Sequence, residues 1–260
     1  MLVEHGRQTP HGRGGAVSWR EFETKSAALS ASLVRMGFRR GDFLAASLPF
    51  VPELVRERLA EVRARVGGKV KIASGCDFHL SFENLQDVER RPQIYTIDGK
   101  NYLLVEFADF AIPPTIDDTF HNLQLAGITP IITHPERNRI LRRHTDWLDK
   151  WASRGCVIQV TAGALLGRFG PNAQQIAEQW LATDRIHVLA SDAHNVTSRP
   201  PGLSEAYKRV VDLRGEEVAR ALCVENPLAA FEGRPLPWTP EPSGAVESGP
   251  ERRRKRFWFF

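Results

Sequence analysis

Short apolar, β-branched runs alternate along the chain with longer segments in which apolar and polar residues recur with helical spacing. The short runs predict buried strands, and the longer segments predict amphipathic helices. The predicted strands are residues 43–47, 70–73, 102–105, 128–132, 156–160 and 186–190. The predicted helices are residues 18–36, 53–66, 117–126, 147–153, 171–180, 204–211 and 216–222. Strands that alternate with helices predict an α/β fold with a largely parallel sheet, closed or partly closed.

Three of the predicted strands end in residue types that bind metals. Glu106 ends the first, His134 follows the second, and Asp192 and His194 follow the third. Pro135 keeps His134 out of helical geometry. Because α/β enzymes place their sites at the carboxyl ends of strands, we expect these four side chains to share one site. Carboxylate and imidazole ligands suit Zn, Mn or Fe. The alternative is that all four are ordinary core and loop residues.

Two further polar residues, Asp77 and His79, follow the strand at residues 70–73. They either touch the same site or shape a loop, and we expect the second role. Residues 84–101 are polar and are expected to form a connecting loop or hairpin.

Composition narrows the class of protein. The hydrophobic share of 42%, the charged share of 25% and the net charge of +4 are ordinary for a soluble globular protein. No basic stripe runs through the body of the chain, which argues against a nucleic-acid partner. No apolar run is long enough to span a membrane, and the amino terminus lacks the apolar core of a signal peptide. A cytoplasmic location is therefore expected.

The three cysteines test a rival phosphatase chemistry. Thiol-dependent tyrosine phosphatases carry an arginine six residues after the nucleophilic cysteine. The residues at that spacing after Cys76, Cys156 and Cys223 are Phe82, Ala162 and Ala229. The missing arginines therefore argue against thiol chemistry, and the sparse, odd-numbered set also argues against a disulfide framework.

The motifs VEF, THPER and SDAH, together with TAGALLGRFG and RPPGLSEA, resemble the PHP (polymerase and histidinol phosphatase) superfamily. Within it they are most similar to bacterial protein-tyrosine phosphatases of capsule and exopolysaccharide operons, over residues 55–237. The resemblance implies a distorted, incomplete (β/α) barrel with a multinuclear metal centre at the strand ends. It also implies hydrolysis of phosphotyrosine on a partner tyrosine kinase. Mn is the expected metal, with Zn, Fe or Co as alternatives.

The site residues can be assigned roles on this basis. The resemblance implies that Glu106, His134, Asp192 and His194 are metal ligands and that Glu106 bridges two metals. Phosphate needs cationic partners, and a guanidinium group matches its oxygens. The candidate arginines are Arg137, Arg139, Arg168 and Arg199, of which we favour Arg139 and Arg199. The alternative for each arginine is a salt bridge that locks a loop.

The amino-terminal segment departs from the PHP pattern. Residues 15–54 resemble instead the start of AMP-forming acyl-CoA synthetases, but the chain lacks their ATP-binding loop. Family members carry His-x-His on the first strand, whereas His5 and His11 lie six residues apart and are expected to be solvated. Phe50 stands where a further histidine is expected. This segment is expected to be a fusion or the product of a wrongly assigned start.

Three regions are therefore predicted: an atypical segment at residues 1–54, a PHP-type phosphatase domain at 55–234 and a disordered tail at 235–260. The tail ends in RRRKRFWFF. It is expected to touch an anionic membrane surface weakly, to bind an acidic partner, or to have no role. Oligomerisation is also compatible with the sequence.

The leading functional hypothesis is a metal-dependent phosphomonoester hydrolase of the protein-tyrosine-phosphatase type, linked to the regulation of capsule or exopolysaccharide biosynthesis. The alternative is a catalytically impaired PHP remnant that binds a kinase or an export partner without turnover. A third hypothesis, acyl-CoA ligation, lacks its ATP loop.

Overall fold

The computed structural model describes residues 42–47, 52–67, 70–79, 87–88, 90–108 and 111–243. The predicted helix at residues 18–36, the expected solvation of His5 and His11, the assignment of Phe50 and the role of the terminal basic run all lie outside these residues.

The strands form two parallel arrays that meet in one extended segment. They are β1 (Asp42–Ser47), β2 (Val70–Gly75), β3 (Asp77–His79), β4 (Tyr102–Glu106), β5 (Thr129–Thr133), β6 (Val157–Thr161) and β7 (Val188–Ala190). β1 pairs with β2, and β3 to β7 form a five-stranded sheet in sequence order. Every pairing is parallel. Only Cys76 separates β2 from β3, so this segment pairs first with β1 and then with β4. The predicted α/β fold with a parallel sheet is confirmed.

The helices largely follow the predicted pattern. They are α1 (Pro52–Val66), α2 (Pro92–Tyr95), α3 (Ile116–Leu125), α4 (Thr145–Ser153), α5 (Ala162–Leu165), α6 (Pro171–Ala182), α7 (Ser204–Arg214), α8 (Glu216–Arg220) and α9 (Asn226–Glu232). A 3₁₀ turn at Ile97–Gly99 follows α2, within the predicted loop, and a π-helical turn at Ala221–Glu225 joins α8 to α9. Helical structure was predicted to end at Leu222, but it continues through the π-helical turn and α9 to Glu232. Pro227 does not end it, because proline is tolerated in the first turn of a helix.

Side chains alternate between the two faces of the five-stranded sheet. One face joins the main core, which also contains residues of α3, α4, α6 and α7. Its strand residues are Phe78, Leu103, Val105, Ile132, Ile158, Val160 and Leu189. The other face is apolar at the amino ends of the strands, where Tyr102, Ile131, Val157 and Val188 pack with Phe231 of α9. Both faces are thus covered, as parallel sheets require.

The second face becomes polar towards the carboxyl ends of its strands. Glu106, Thr133, Gln159 and Thr161 follow the apolar residues of this face at the strand period of two. Thr133, Gln159 and Thr161 are buried. The sheet therefore collects polar side chains at one edge, where the predicted site lies.

The described part of the predicted disordered tail is ordered. Residues 235–243 were expected to be disordered, but they pack against the domain. The backbone N–H of Trp238 donates to Oδ1 of Asn226, and the Asn226 amide donates to the Trp238 carbonyl oxygen. The Ser243 carbonyl oxygen accepts from the Arg185 guanidinium. The rest of the predicted tail, residues 244–260, lies outside the described residues. In the part of the chain that is described, no helix has the length and apolar character needed to cross a bilayer.

Candidate functional site

A compact group of three potential metal ligands lies at the carboxyl edge of the sheet. The candidate ligand atoms of Asp77, Glu106 and His134 all lie within 4.8 Å of one another. Nε2 of His134 is 3.3 Å from Oε1 of Glu106 and 3.8 Å from Oδ2 of Asp77. The residues belong to β3, the end of β4 and the turn after β5, so neighbouring strands bring them together. Glu106 and His134 meet as predicted, and Asp77 joins them rather than only shaping a loop.

The backbone and Thr133 hold this group in place. His134 has a left-handed φ of 36°, which turns the chain immediately after β5. A non-glycine residue keeps such a conformation only where its surroundings fix it. The buried Thr133 hydroxyl lies 3.1 Å from both Oδ1 of Asp77 and the Val105 carbonyl oxygen. It therefore links the strand of His134 to the other two strands of the group.

The electrostatics of the group favour a cation. Burial lowers the pKa of His134, and the charge of Arg137 lowers it further. The hydrogen bond with Asp77 and the negative charges of Asp77 and Glu106 outweigh both effects, so the pKa lies above the usual value. Two carboxylates thus concentrate negative charge around one imidazole. This arrangement suits a divalent cation, which would take the place of the proton.

Asp192 and His194, the other two predicted ligands, form a neighbouring cluster with two arginines. Oδ2 of Asp192 accepts a hydrogen bond of 2.5 Å from Nη1 of Arg137 and another from Nη2 of Arg199. Asp192 also has a left-handed φ, of 49°, just after β7. His194 is 56% exposed, and its Nδ1 lies 3.0 Å from the Asp192 carbonyl oxygen. The four predicted ligands are therefore found as two pairs, one in each cluster.

Arg137 connects the two clusters. Its backbone N–H donates to the His134 carbonyl oxygen in a tight turn, while its guanidinium reaches Asp192. Of the four candidate arginines, the structure brings Arg137 and Arg199 together. Arg139 is exposed on the same loop, and Arg168 forms an exposed ion pair with Glu205 of α7.

Sequence reasoning missed the residues that support this edge. Asn138 fixes the THPER loop, since its Oδ1 accepts from the backbone of Ile140 and Leu141 and its amide donates to Ala108. Glu136 is fully buried, accepts from the Thr161 backbone at 3.0 Å and has its pKa raised to about 7 by burial. The THPER motif identified the loop, but it did not show that His134 lies in the candidate metal group whereas Glu136 supports the loop from the core.

The cysteine thiols are unsuited to nucleophilic catalysis. Burial raises the pKa of Cys76 to about 11, with a contribution from the charge of Asp77. Burial likewise raises the pKa of Cys156 and of Cys223 to about 12. A nucleophilic cysteine needs a lowered pKa, so these values also argue against thiol chemistry.

Comparison with known proteins agrees with the geometry. The profile of the family described as capsular polysaccharide synthesis, CpsB/CapC, matches residues 51–232. The tyrosine-protein phosphatase YwqE of Bacillus subtilis (strain 168) is 30% identical over 212 residues, which are 80% of this chain and 80% of that protein. The tyrosine-protein phosphatase CpsB of Streptococcus pneumoniae is 29% identical over 175 residues, which are 65% of this chain and 72% of that protein.

A solved structure shows the same fold. It comes from work on the crystal structures of YwqE from Bacillus subtilis and CpsB from Streptococcus pneumoniae, described as unique metal-dependent tyrosine phosphatases. It matches with a TM-score of 0.75 and 27% identity over 85% of this chain and 92% of that one. The predicted resemblance, and the predicted activity of a metal-dependent tyrosine phosphatase of capsular polysaccharide synthesis, are confirmed by these matches. The chain belongs to the CpsB/CapC family of capsular polysaccharide synthesis proteins.

Proposed function

We propose that this chain hydrolyses phosphotyrosine on a protein substrate, a bacterial tyrosine kinase, at the edge formed by the two clusters. The observation that carries the proposal is the position of Arg137. Its backbone contacts His134 of the carboxylate–imidazole group, and its guanidinium shares the Asp192 carboxylate with Arg199. One cluster has ligands for divalent cations, and the other has donors for phosphate oxygens. A metal-dependent phosphomonoesterase uses both kinds of group.

The residues of the first cluster fit a divalent metal. Two carboxylates and one imidazole lie close enough to share an ion, and this donor set suits Mn, Zn or Fe. We propose Mn²⁺ held by Asp77, Glu106 and His134, with Asp192 and His194 as further ligands. A bound cation of this kind lowers the pKa of water and polarises the phosphoryl group. The chain itself orients the ligands through Thr133, which holds Asp77 against β5.

Arg137 and Arg199 are proposed to bind the phosphoryl oxygens. Both guanidinium groups already donate to one carboxylate oxygen of Asp192. A phosphoryl group presents similar oxygen acceptors with more negative charge, so it would compete for the same donors. Binding of substrate would thereby release Asp192 from the arginines and neutralise the charge of the ester.

The finer description of the domain is also part of this proposal. We propose that the strands form an incomplete PHP-type barrel and that the protein acts in the cytoplasm. The eight histidines of the chain include no His-x-His pair. Metal affinity follows ligand number, so we expect weaker metal binding than with a full ligand set. The catalytically impaired remnant is thus the alternative outcome.

Hydrolysis of a phosphotyrosine peptide with Mn²⁺ and with a chelator tests the proposal. We expect turnover with Mn²⁺, no turnover with chelator, and turnover about a hundredfold slower in His134→Ala, since losing a ligand should cost as much as the largest loss seen for a partner that supports one. His121→Ala is the matched control, because His121 is an exposed histidine of α3. A phosphoserine peptide tests substrate class. If the folded wild type binds the peptide without turnover at any Mn²⁺ concentration, the remnant hypothesis replaces the phosphatase.

A further inference from the structure

One aromatic ring lies beneath both arginines of the site. The guanidinium carbon of Arg137 is 4.7 Å from the centroid of the Phe169 ring, and that of Arg199 is 5.5 Å from the same centroid. The two arginines come from different loops, one after β5 and the other after β7. Phe169 itself lies in the loop between α5 and α6. Three separate loops therefore converge on one ring.

This contact leaves the arginines able to bind phosphate. A guanidinium group that stacks on an aromatic ring uses its face, and the N–H groups in its plane stay available for oxygen acceptors. Both guanidinium groups do reach the same Asp192 oxygen. Nε of Arg199 is buried and has no hydrogen-bond partner among the described residues. Ring contact is thus one of the few interactions available to hold that side chain.

The Phe169 ring packs against the main core and against Gly163 of α5. Phe169 is half-buried. A Cβ atom at Gly163 would lie only 2.9 Å from Cε2 of Phe169. Gly163 is in α5 and does not have a positive φ, so alanine would suit its backbone. Glycine at this position is therefore explained by the close approach of the ring. The same approach gives a physical role to the TAGALLGRFG motif.

We propose that Phe169 is a positioning residue that aligns Arg137 and Arg199 for the phosphoryl group. This inference rests on the proposed function for its choice of substrate. Its physical content is narrower and can be tested by phosphate binding alone. Removing the ring removes two cation–π contacts, and the arginines then have to be ordered by the ligand. We expect an effect on phosphate affinity and KM that exceeds the effect on kcat.

The test measures the affinity of inorganic phosphate for the full-length, Mn²⁺-loaded protein by calorimetry, with thermal unfolding of each variant in parallel. We expect Phe169→Leu to weaken phosphate binding about five- to thirtyfold, the range that two cation–π contacts support. Phe169→Tyr keeps the ring face and should bind within about twofold of wild type. Phe231→Leu is the matched control, because Phe231 lies beneath Lys100 in the other core cluster, and it should leave phosphate affinity unchanged.

A second variant moves the Phe169 ring without replacing Phe169. Gly163→Ala should displace the ring and weaken phosphate binding in the same direction, without removing any side chain. In the Phe169→Leu background, the added Gly163→Ala should have little further effect, since the ring it acts through is gone. This cycle keeps the test decisive even if Phe169→Leu lowers the melting temperature.

The outcomes separate this inference from the proposed function. If wild type binds phosphate but hydrolyses no phosphotyrosine, the proposed function fails, and the series of affinities still decides the role of Phe169. Equal phosphate affinity in wild type and Phe169→Leu overturns the inference. So does an absence of phosphate binding by wild type, because there would then be no phosphate site for the arginines to form.

Discussion

Thr133→Val is the most informative single change near the metal ligands. Threonine and valine have nearly the same shape, so the change removes a hydroxyl and little else. In the structure that hydroxyl lies 3.1 Å from Oδ1 of Asp77 and 3.1 Å from the Val105 carbonyl oxygen, and it is buried. The substitution therefore removes a donor from the carboxylate of Asp77, a proposed metal ligand, while Asp77, Glu106 and His134 all stay in place.

The magnitude follows from exposure and from the role of supporting hydrogen bonds. Loss of a partner that orients a metal ligand weakens metal binding by about 10- to 100-fold. The Asp77 side chain is 29% exposed, so water can partly replace the lost donor. We therefore expect the lower end, about a tenfold weaker Mn²⁺ affinity, which corresponds to about 1.4 kcal/mol. Folding stability should fall by about 1 kcal/mol.

The assay is titration of Mn²⁺ into metal-free protein, with chemical unfolding of the same samples. Thr145→Val provides the control, because the buried Thr145 hydroxyl accepts from the Trp180 indole at 3.2 Å, outside the site. It should reduce stability by about 1–3 kcal/mol and leave Mn²⁺ affinity unchanged. If Thr133→Val bound Mn²⁺ as tightly as wild type, the idea that Thr133 orients Asp77 would be wrong.

Three further predictions concern phosphate binding, pH and the carboxyl-terminal segment. Arg137→Lys and Arg199→Lys should each raise KM for an aryl phosphate about tenfold, because lysine lacks the planar fork of donors. Burial lowers the pKa of His187 to about 4. The folded state therefore favours neutral His187. The free energy of unfolding should be highest above the unfolded pKa of about 6.5 and should fall by roughly 3 kcal/mol as pH drops to 4, as measured by urea unfolding. Asn226→Ala should cost about 2–4 kcal/mol by the same measurement, since the buried amide binds His187 and Trp238.

Each of these has its own control. Arg139→Lys should leave KM within about twofold of wild type, because the Arg139 side chain is exposed. A variant His187→Gln should lose the acid dependence assigned to His187, whereas His121→Gln should retain it. If wild type, His187→Gln and His121→Gln all showed the same fall in stability between pH 7 and pH 4, carboxylates would be the cause instead. Asn226→Ala should leave KM unchanged, and a large rise in KM would mean that α9 shapes the site.

The sequence predicts that Glu106 and His134 lie together because the rule behind this expectation is local. Each apolar run marks a strand, and parallel strands bring their carboxyl ends to one edge. Glu106 and His134 needed no more than this. The position of Asp77 does not follow from this rule, because Asp77 lies where one extended segment stops pairing with β1 and begins to pair with β4. That change of partner occurs across the single residue Cys76 and has no signal in hydrophobic periodicity.

The choice among the arginines depends on a turn that spacing alone does not reveal. Arg137 and Arg139 lie two residues apart on one loop. The backbone hydrogen bond from Arg137 to His134 keeps the first beside the site, while the second faces solvent. Phe169 is similarly hidden, because a phenylalanine in a glycine-rich loop looks like a packing residue. Its contact with Arg137 and Arg199 exists only once three distant loops have folded together.

Bound metal in the purified protein tests the central claim most directly. Wild type, Glu106→Gln, His134→Ala and the control His121→Ala should be dialysed against Mn²⁺, washed and assayed for metal content and phosphotyrosine hydrolysis. We expect at least one Mn²⁺ per chain with turnover in wild type and His121→Ala, and loss of both in Glu106→Gln and His134→Ala. Equal metal content in wild type and both ligand variants would show that Asp77, Glu106 and His134 do not form the metal site.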